Sequence, residues 1–254
     1  MKRVSVFGYY WFGTCVRYLQ DVPADAPVHK GGYIRDNLSR VFKYLDEFGL
    51  VVTQRAAREL GSFRDELDDL PKDAKLSADQ AARLRDLIAA VRKTLEAEIE
   101  GLEAFLATPK RYDTDKLMQN VAALFSPGVF SKLPEIARFD LDEAGKCIAF
   151  ERPTAAAFHI LRATEAVLRH FYLSLIRRSR INTLLWGPII QDLRLHKKTQ
   201  KYETLYQNLD NIRHSYRNPT QHPEMVYDIH EAQDLFALCT EAVNRMMKIV
   251  VQQT

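Results

Sequence analysis

Three side chains near the end of the chain have the chemistry to cleave a phosphodiester without a metal ion. Arg217, Asn218 and His222 lie close together, with Pro219 between them. A guanidinium stays charged and can neutralise phosphoryl oxygens, while an imidazole exchanges a proton near neutral pH. Attack of a ribose 2′-hydroxyl on its own phosphate needs both functions. The pattern predicts that His222 moves the proton, Arg217 stabilises the phosphorane, and Asn218 holds the phosphate or orients the imidazole.

Context has to support this assignment, because an Arg followed by a His at such a distance is common. A second match, Arg152 to His159, has a proline directly after the Arg and no carboxamide between the two residues. An Arg at a helix end also interacts favourably with the helix dipole without any catalytic role. A structural role for each residue therefore stays open.

Other catalytic motifs are absent from the sequence. No HExxH, CxxC or GxxxxGK[ST] pattern occurs, so we expect no metal site, no cofactor and no nucleotide-binding P-loop. The cysteines Cys15, Cys147 and Cys239 are widely separated, which is typical of a reducing cytoplasm. No apolar stretch approaches the roughly 20 residues that span a bilayer, so we expect no membrane partner.

Positive charge is concentrated in the part of the chain that carries the motif. Residues 146–254 hold 15 Lys and Arg against 10 Asp and Glu, whereas residues 1–145 hold 21 against 23. We expect phosphate-binding side chains among the basic residues here, which are Arg177, Arg178, Arg180, Arg194, Lys197, Lys198 and Lys201. A solvated basic surface without a ligand is the alternative.

Helical periodicity indicates how these residues are positioned. The patterns predict helices over about 153–176, 183–195 and 199–216, and a last helix that starts near Asp228 with a capping box to Glu231. Four amphipathic helices favour a bundle. Asn218 precedes a proline, so we expect the third helix to stop there.

Two further residues are expected to support the site. Glu165 interrupts the apolar stripe of the first of these helices, and a carboxylate at the edge of a buried face needs a cation or donors. Arg213 and Arg217 are four residues apart and should share one helix face. Glu165 is therefore predicted to pair with either arginine, although a Glu that turns into solvent is the alternative.

Residues 1–145 are predicted to form a separate helical region. Helices are indicated over 33–48, 51–69 and 115–125, and Ser77 with Gln80 forms a capping box that opens a long helix to about Ala107. The fold class is thus all-α, with a domain boundary between residues 145 and 146.

The second half resembles a HEPN domain. The similarity covers roughly residues 150–252 and depends on the segments 158–172, which contains Glu165, and 212–224, which contains Arg217-Asn218-Pro-Thr-Gln-His222. The resemblance implies a four-helix bundle that forms a homodimer and brings two Arg/His sets into one cleft. It also implies metal-independent cleavage of RNA, commonly in prokaryotic defence or toxin–antitoxin systems with an antitoxin or regulatory partner.

The alternative is a helical module without catalytic activity. Such a module would bind a nucleotide, RNA or a partner protein, or serve dimerisation only.

Overall fold

The structure, a computed structural model, describes residues 4–176 and 181–252 and divides them into two compact units. The N-terminal unit ends at Phe105 and the C-terminal unit begins at Leu106. Within the described ranges the secondary structure is helical, apart from an isolated bridge between Pro27 and Lys75, so the all-α prediction is confirmed. None of the described helices is both long and apolar enough to cross a membrane.

The N-terminal unit contains five helices around one core. They are α1 (Val6–Gln20), α2 (Ile34–Phe48), α3 (Val51–Ala56), α4 (Arg58–Asp68) and α5 (Ala78–Glu100). The capping box predicted at Ser77 and Gln80 opens α5. The apolar stripe of α5 packs in the core through four buried residues, Leu84, Ile88, Val91 and Leu95.

Helix α5 ends earlier than predicted. The expected end was Ala107, but the helix stops at Glu100, next to Gly101, a residue that disfavours helix. The last three stripe residues, Ile99, Leu102 and Leu106, are exposed to solvent. Apolar residues at helical spacing therefore continue along the sequence beyond the part of α5 that packs in the core.

A carboxylate on α5 caps the N-terminus of α3. Glu98 accepts hydrogen bonds from the backbone N–H groups of Val52 and Thr53, at 3.0 and 2.8 Å, and from the Thr53 hydroxyl. Desolvation raises the pKa of Glu98, but these hydrogen bonds outweigh it and leave the pKa below its ordinary value. Glu98 thus replaces a local N-cap, which the sequence around α3 lacks.

The C-terminal unit contains the predicted site. Its α-helices are α6 (Thr114–Gln119), α7 (Glu135–Ala149), α8 (Pro153–Leu175), α9 (Trp186–Leu195), α10 (Glu203–Ile212), α11 (Asn218–Thr220) and α12 (Ile229–Val251). Short 3₁₀ turns cover Val121–Leu124, Phe130–Lys132 and Gln200–Tyr202. The capping box of Asp228 and Glu231 is present at the start of α12.

The domain boundary predicted between residues 145 and 146 is wrong, because it cuts α7. Leu141, Ala144 and Ile148 of α7 are buried in the same core as α8 and α12. Gly145 lets α6 approach closely, since a Cβ there would lie 2.4 Å from the Leu117 carbonyl oxygen. Helices α6 and α7 therefore belong with the predicted bundle rather than with the N-terminal region.

Candidate functional site

The corner that carries the motif is more helical than the sequence predicts. Arg213–Arg217 form a π-helical turn, and Asn218–Thr220 continue as α-helix, so the helix does not stop at Asn218. A proline inside an α-helix would clash with the carbonyl four residues earlier. The wider π turn before Pro219 gives that ring room, which explains why the chain stays helical past the proline.

Hydrogen bonds hold the segment after the corner against the bundle. The Thr220 hydroxyl donates to the Tyr216 carbonyl oxygen at 2.6 Å and lies 2.6 Å from the Tyr227 hydroxyl. The backbone N–H of Tyr227 donates to the Thr154 hydroxyl at the start of α8, at 3.1 Å. Burial raises the pKa of Tyr227, so its hydroxyl stays protonated in this network. The segment that carries His222 is thereby anchored at Thr220 before it and at Tyr227 after it.

An open groove of about 380 Å³ lies at this corner. It is lined by His214, Asn218, Pro219, His222, Glu224 and Met225. The structure thus brings Asn218 and His222 to one surface, and both residues are exposed. Arg217 is not among the lining residues, so the guanidinium and the imidazole do not share this groove.

Arg217 instead faces α8. Its Nε and Nη2 atoms both lie 3.4 Å from Oε2 of Glu165, whose side chain is only 14% exposed. The other carboxylate oxygen of Glu165 accepts a shorter bond, 2.6 Å, from Nη2 of Arg169. Contacts of 3.4 Å are at the long end for hydrogen bonds to nitrogen. Glu165 is therefore held more closely by Arg169 than by Arg217.

Arg213 does not pair with Glu165. It pairs with Asp210, with Nη2 3.1 Å from Oδ1, and its guanidinium covers Gly187. Arg213 and Arg217 thus have different partners, although they lie four residues apart on one π-helical turn. Of the two arginines offered by the sequence, Glu165 contacts Arg217.

His214 is a groove residue that the sequence analysis did not select. Nη2 of Arg213 lies 2.7 Å from Nε2 of His214. Because Arg can only donate, this contact requires Nε2 to accept and places the imidazole proton on Nδ1. The sequence feature that could have identified His214 is its position four residues before Asn218, because residues at this spacing lie on one helix face.

The structure describes only part of the predicted basic surface. Arg177, Arg178 and Arg180 lie outside the described residues. Lys197, Lys198 and Lys201 are exposed, and the Lys201 ammonium lies 5.1 Å from the centre of the Tyr202 ring. Arg194 is not available for phosphate, because it forms ion pairs with Glu203 and Asp210.

The second Arg-to-His match of the sequence leads to a different cluster. Nδ1 of His159 lies 2.8 Å from Oδ1 of Asp140, a fully buried carboxylate on α7. Arg162 donates to the same carboxylate with two nitrogens. A buried carboxylate with two partners joins α7 to α8 and needs no catalytic interpretation.

Neither the arrangement of possible metal ligands nor similarity to known proteins adds to the functional assignment. Within residues 4–176 and 181–252, no group of three His, Cys, Asp or Glu side chains is arranged to hold a metal ion. Comparison with protein-family models, curated proteins and solved structures finds no significant match to this chain. The functional argument therefore depends on the contacts of the corner itself.

Proposed function

We propose that this protein is a metal-independent endoribonuclease of the HEPN type. The observation that carries the proposal is the arrangement at the corner. His222 and Asn218 line an accessible groove, while the adjacent Arg217 contacts a carboxylate that already has a closer cation. The groove provides a proton carrier and an amide, and the neighbouring guanidinium is held only loosely.

Glu165 and Arg169 together keep Arg217 available. A phosphoryl oxygen can replace Glu165 as the partner of Arg217, because Arg169 continues to neutralise the carboxylate at 2.6 Å. In the proposed reaction a ribose 2′-oxygen attacks its phosphorus and loses its proton to His222, while Arg217 offsets the charge on the phosphorane. The P–O5′ bond then breaks to leave a 2′,3′-cyclic phosphate, and the departing 5′-oxygen takes the proton back from His222. Asn218 donates from its amide to the phosphate.

His214 completes the polar lining of the groove. With Nε2 in contact with Arg213, Nδ1 is the ring nitrogen that can donate to a phosphoryl oxygen. It is a positioning group in the proposal, and His222 remains the residue that moves the proton.

The resemblance extends the proposal to the partners. The substrate is RNA, the C-terminal unit forms a homodimer, and the setting is prokaryotic defence or a toxin–antitoxin system in the cytoplasm with an antitoxin or regulatory protein. A dimer matters for the chemistry, because Arg217 and His222 of one chain do not line the same groove.

The test is cleavage of RNA by the purified protein in EDTA. His222→Ala and Arg217→Ala should each lower the rate about 10²–10³-fold, as loss of a proton carrier or of a charge-stabilising donor does. His230→Ala is the matched control, because His230 is also exposed in this unit but does not line the groove. Equal cleavage by all four proteins, or no cleavage by the wild type, would refute the proposal.

Mixing the two inactive variants tests the dimer. If each active site takes Arg217 from one chain and His222 from the other, a mixed dimer of Arg217→Ala and His222→Ala chains contains one intact set. Refolding the variants together should then restore part of the activity that neither has alone. A mixture as inactive as its components would argue against a site shared between chains.

A non-catalytic binding module is the second candidate. It is favoured by the exposed lysines at residues 197, 198 and 201, which can contact phosphates without cleaving them. RNA binding that weakens steeply with salt and leaves the strand intact would support this reading.

A further inference from the structure

The N-terminal unit contains a pocket with fixed walls. The pocket has a volume of about 490 Å³ and lies between the segments 27–35 and 72–74. Backbone hydrogen bonds join the flanking chains, from Val28 N–H to the Ala74 carbonyl at 3.0 Å and from Leu76 N–H to the Ala26 carbonyl at 2.9 Å. Nε2 of His29 donates to the Leu70 carbonyl at 3.0 Å, which adds a side-chain link. The walls are thus held together without a ligand.

Three of the seven residues that line the pocket are cations. Its lining residues are Pro27, His29, Lys30, Arg35, Lys72, Asp73 and Ala74. Arg35 pairs with Asp68, and the side-chain hydrogen bond from Arg35 lowers the pKa of that carboxyl. Three cations against the carboxylates of Asp68 and Asp73 leave a charge of +1. An anionic ligand matches this charge.

Two of the cations are free to reach a ligand. Lys30 and Lys72 are exposed and come from opposite walls of the pocket. The Lys30 ammonium lies 5.2 Å from the centre of the Tyr33 ring, a contact that leaves its three N–H donors available. Lysine commonly binds phosphate in proteins as a point charge.

We propose that this pocket binds the terminal phosphate of a nucleotide. A phosphate monoester carries close to two negative charges at neutral pH, and Lys30 and Lys72 offer two positive charges from opposite walls of the pocket. The volume lies within the range of small-molecule sites, so the pocket has room for more than the phosphate group itself. The source of the phosphate is a free mononucleotide or the 5′ end of an RNA, since both present the same group. The inference does not rest on RNA cleavage.

Calorimetric titration of the full-length protein with AMP tests the inference, with adenosine as the ligand that lacks the phosphate. AMP should bind and adenosine should not. Combined Lys30→Ala and Lys72→Ala substitution should weaken AMP binding about tenfold or more, because both charged donors are lost. Both lysines are exposed, so the double variant should fold as the wild type does. Lys93→Ala, which removes an exposed cation of the same unit outside the pocket, should change nothing.

The same variants identify the source of the phosphate. A 5′-phosphorylated RNA oligonucleotide that binds more tightly than its 5′-hydroxyl form, with the difference lost in the double variant, assigns the site to RNA ends. Binding of AMP without that difference assigns it to mononucleotides. Failure to bind AMP, equal affinity for adenosine, or equal binding by the wild type and the double variant would overturn the inference. These are binding measurements, so a protein that cleaves no RNA would refute the proposed activity and leave this test unaffected.

Discussion

Glu165 contacts two arginines, and replacing each in turn separates a catalytic guanidinium from a structural one. Arg169→Ala removes the 2.6 Å contact, and Arg217→Ala removes the two 3.4 Å contacts. Either variant leaves Glu165 with one cation, so neither creates an unpaired buried charge. The two substitutions are therefore matched in everything except the proposed role in catalysis.

The expected costs in stability are small and similar. Arg169 is half-exposed and pairs with Glu165 at a spacing of four residues, so its loss should cost about 0.3–0.5 kcal/mol of unfolding free energy. Arg217 is less exposed but its contacts are longer, and its loss should cost about 0.5–1 kcal/mol. Urea unfolding of both variants beside the wild type measures these values.

The expected effects on rate are very different. Arg217→Ala should lower RNA cleavage in EDTA about 10²–10³-fold, equivalent to about 2.7–4 kcal/mol of transition-state stabilisation. Arg169→Ala should lower the rate much less, by about tenfold at most, because Arg217 stays in place and only its release from Glu165 becomes harder; an exposed ion pair is worth less than the 1.4 kcal/mol of a tenfold change. If both variants lose activity to the same extent, or if Arg169→Ala is the more damaged enzyme, the assignment of Arg217 to the phosphate is wrong.

Other parts of the fold give predictions that do not depend on activity. Asp140→Ala should cost about 1–3 kcal/mol by thermal or urea unfolding, because the hydrogen bonds that join this buried carboxylate to His159 and Arg162 are lost, and a cost below about 0.5 kcal/mol would contradict that view. Gly145→Ala should destabilise by about 1–3 kcal/mol, since its Cβ would meet a carbonyl oxygen of α6 at 2.4 Å; Gly13→Ala, with nothing within 4 Å, is the helical control that should stabilise slightly. Glu98→Gln should remove part of the acid sensitivity of the N-terminal unit. The pKa of Glu98 is lowered by folding, so its contribution is present above the unfolded pKa and lost as pH falls through the folded value. Burial raises the pKa of Cys239 to about 12, so iodoacetamide should not modify it in the native protein, and rapid modification would refute its burial.

Local signals in the sequence were sufficient to predict where most of the long helices lie. The capping boxes at Ser77 and Asp228 depend on residues three positions apart, and both are present in the structure. Apolar periodicity located α8, α10 and α12 because each buries one stripe in the core. The helix ends were less accurate where neighbours decide them, as at Glu100, beyond which the apolar stripe no longer contacts the core.

Contacts between distant residues were only partly predictable. The sequence indicated that Glu165 needs a cation, because a carboxylate on an otherwise apolar stripe must be compensated. It could not choose between Arg213 and Arg217. The pairing with Arg169 could have been predicted from its position four residues after Glu165 on the same helix, but the sequence analysis did not consider it. Asp140 was not predicted to be buried, because its partners His159 and Arg162 lie on another helix. The predicted domain boundary after residue 145 was wrong for a similar reason. Helix α7 packs on α8, and the sequence pattern of α7 alone does not show that contact.

Arg213 and Arg217 have different partners although they lie four residues apart. Arg213 pairs with Asp210 of α10, three residues earlier in the chain, with Nη2 3.1 Å from Oδ1. Arg217 instead reaches Glu165 on α8, at 3.4 Å. The π turn that contains both arginines lies one residue before Pro219, where an α-helical backbone would clash with the ring. Because the turn gives the ring room, the chain stays helical through the motif. Arg217 then contacts the carboxylate on α8 while the next residue, Asn218, lines the groove.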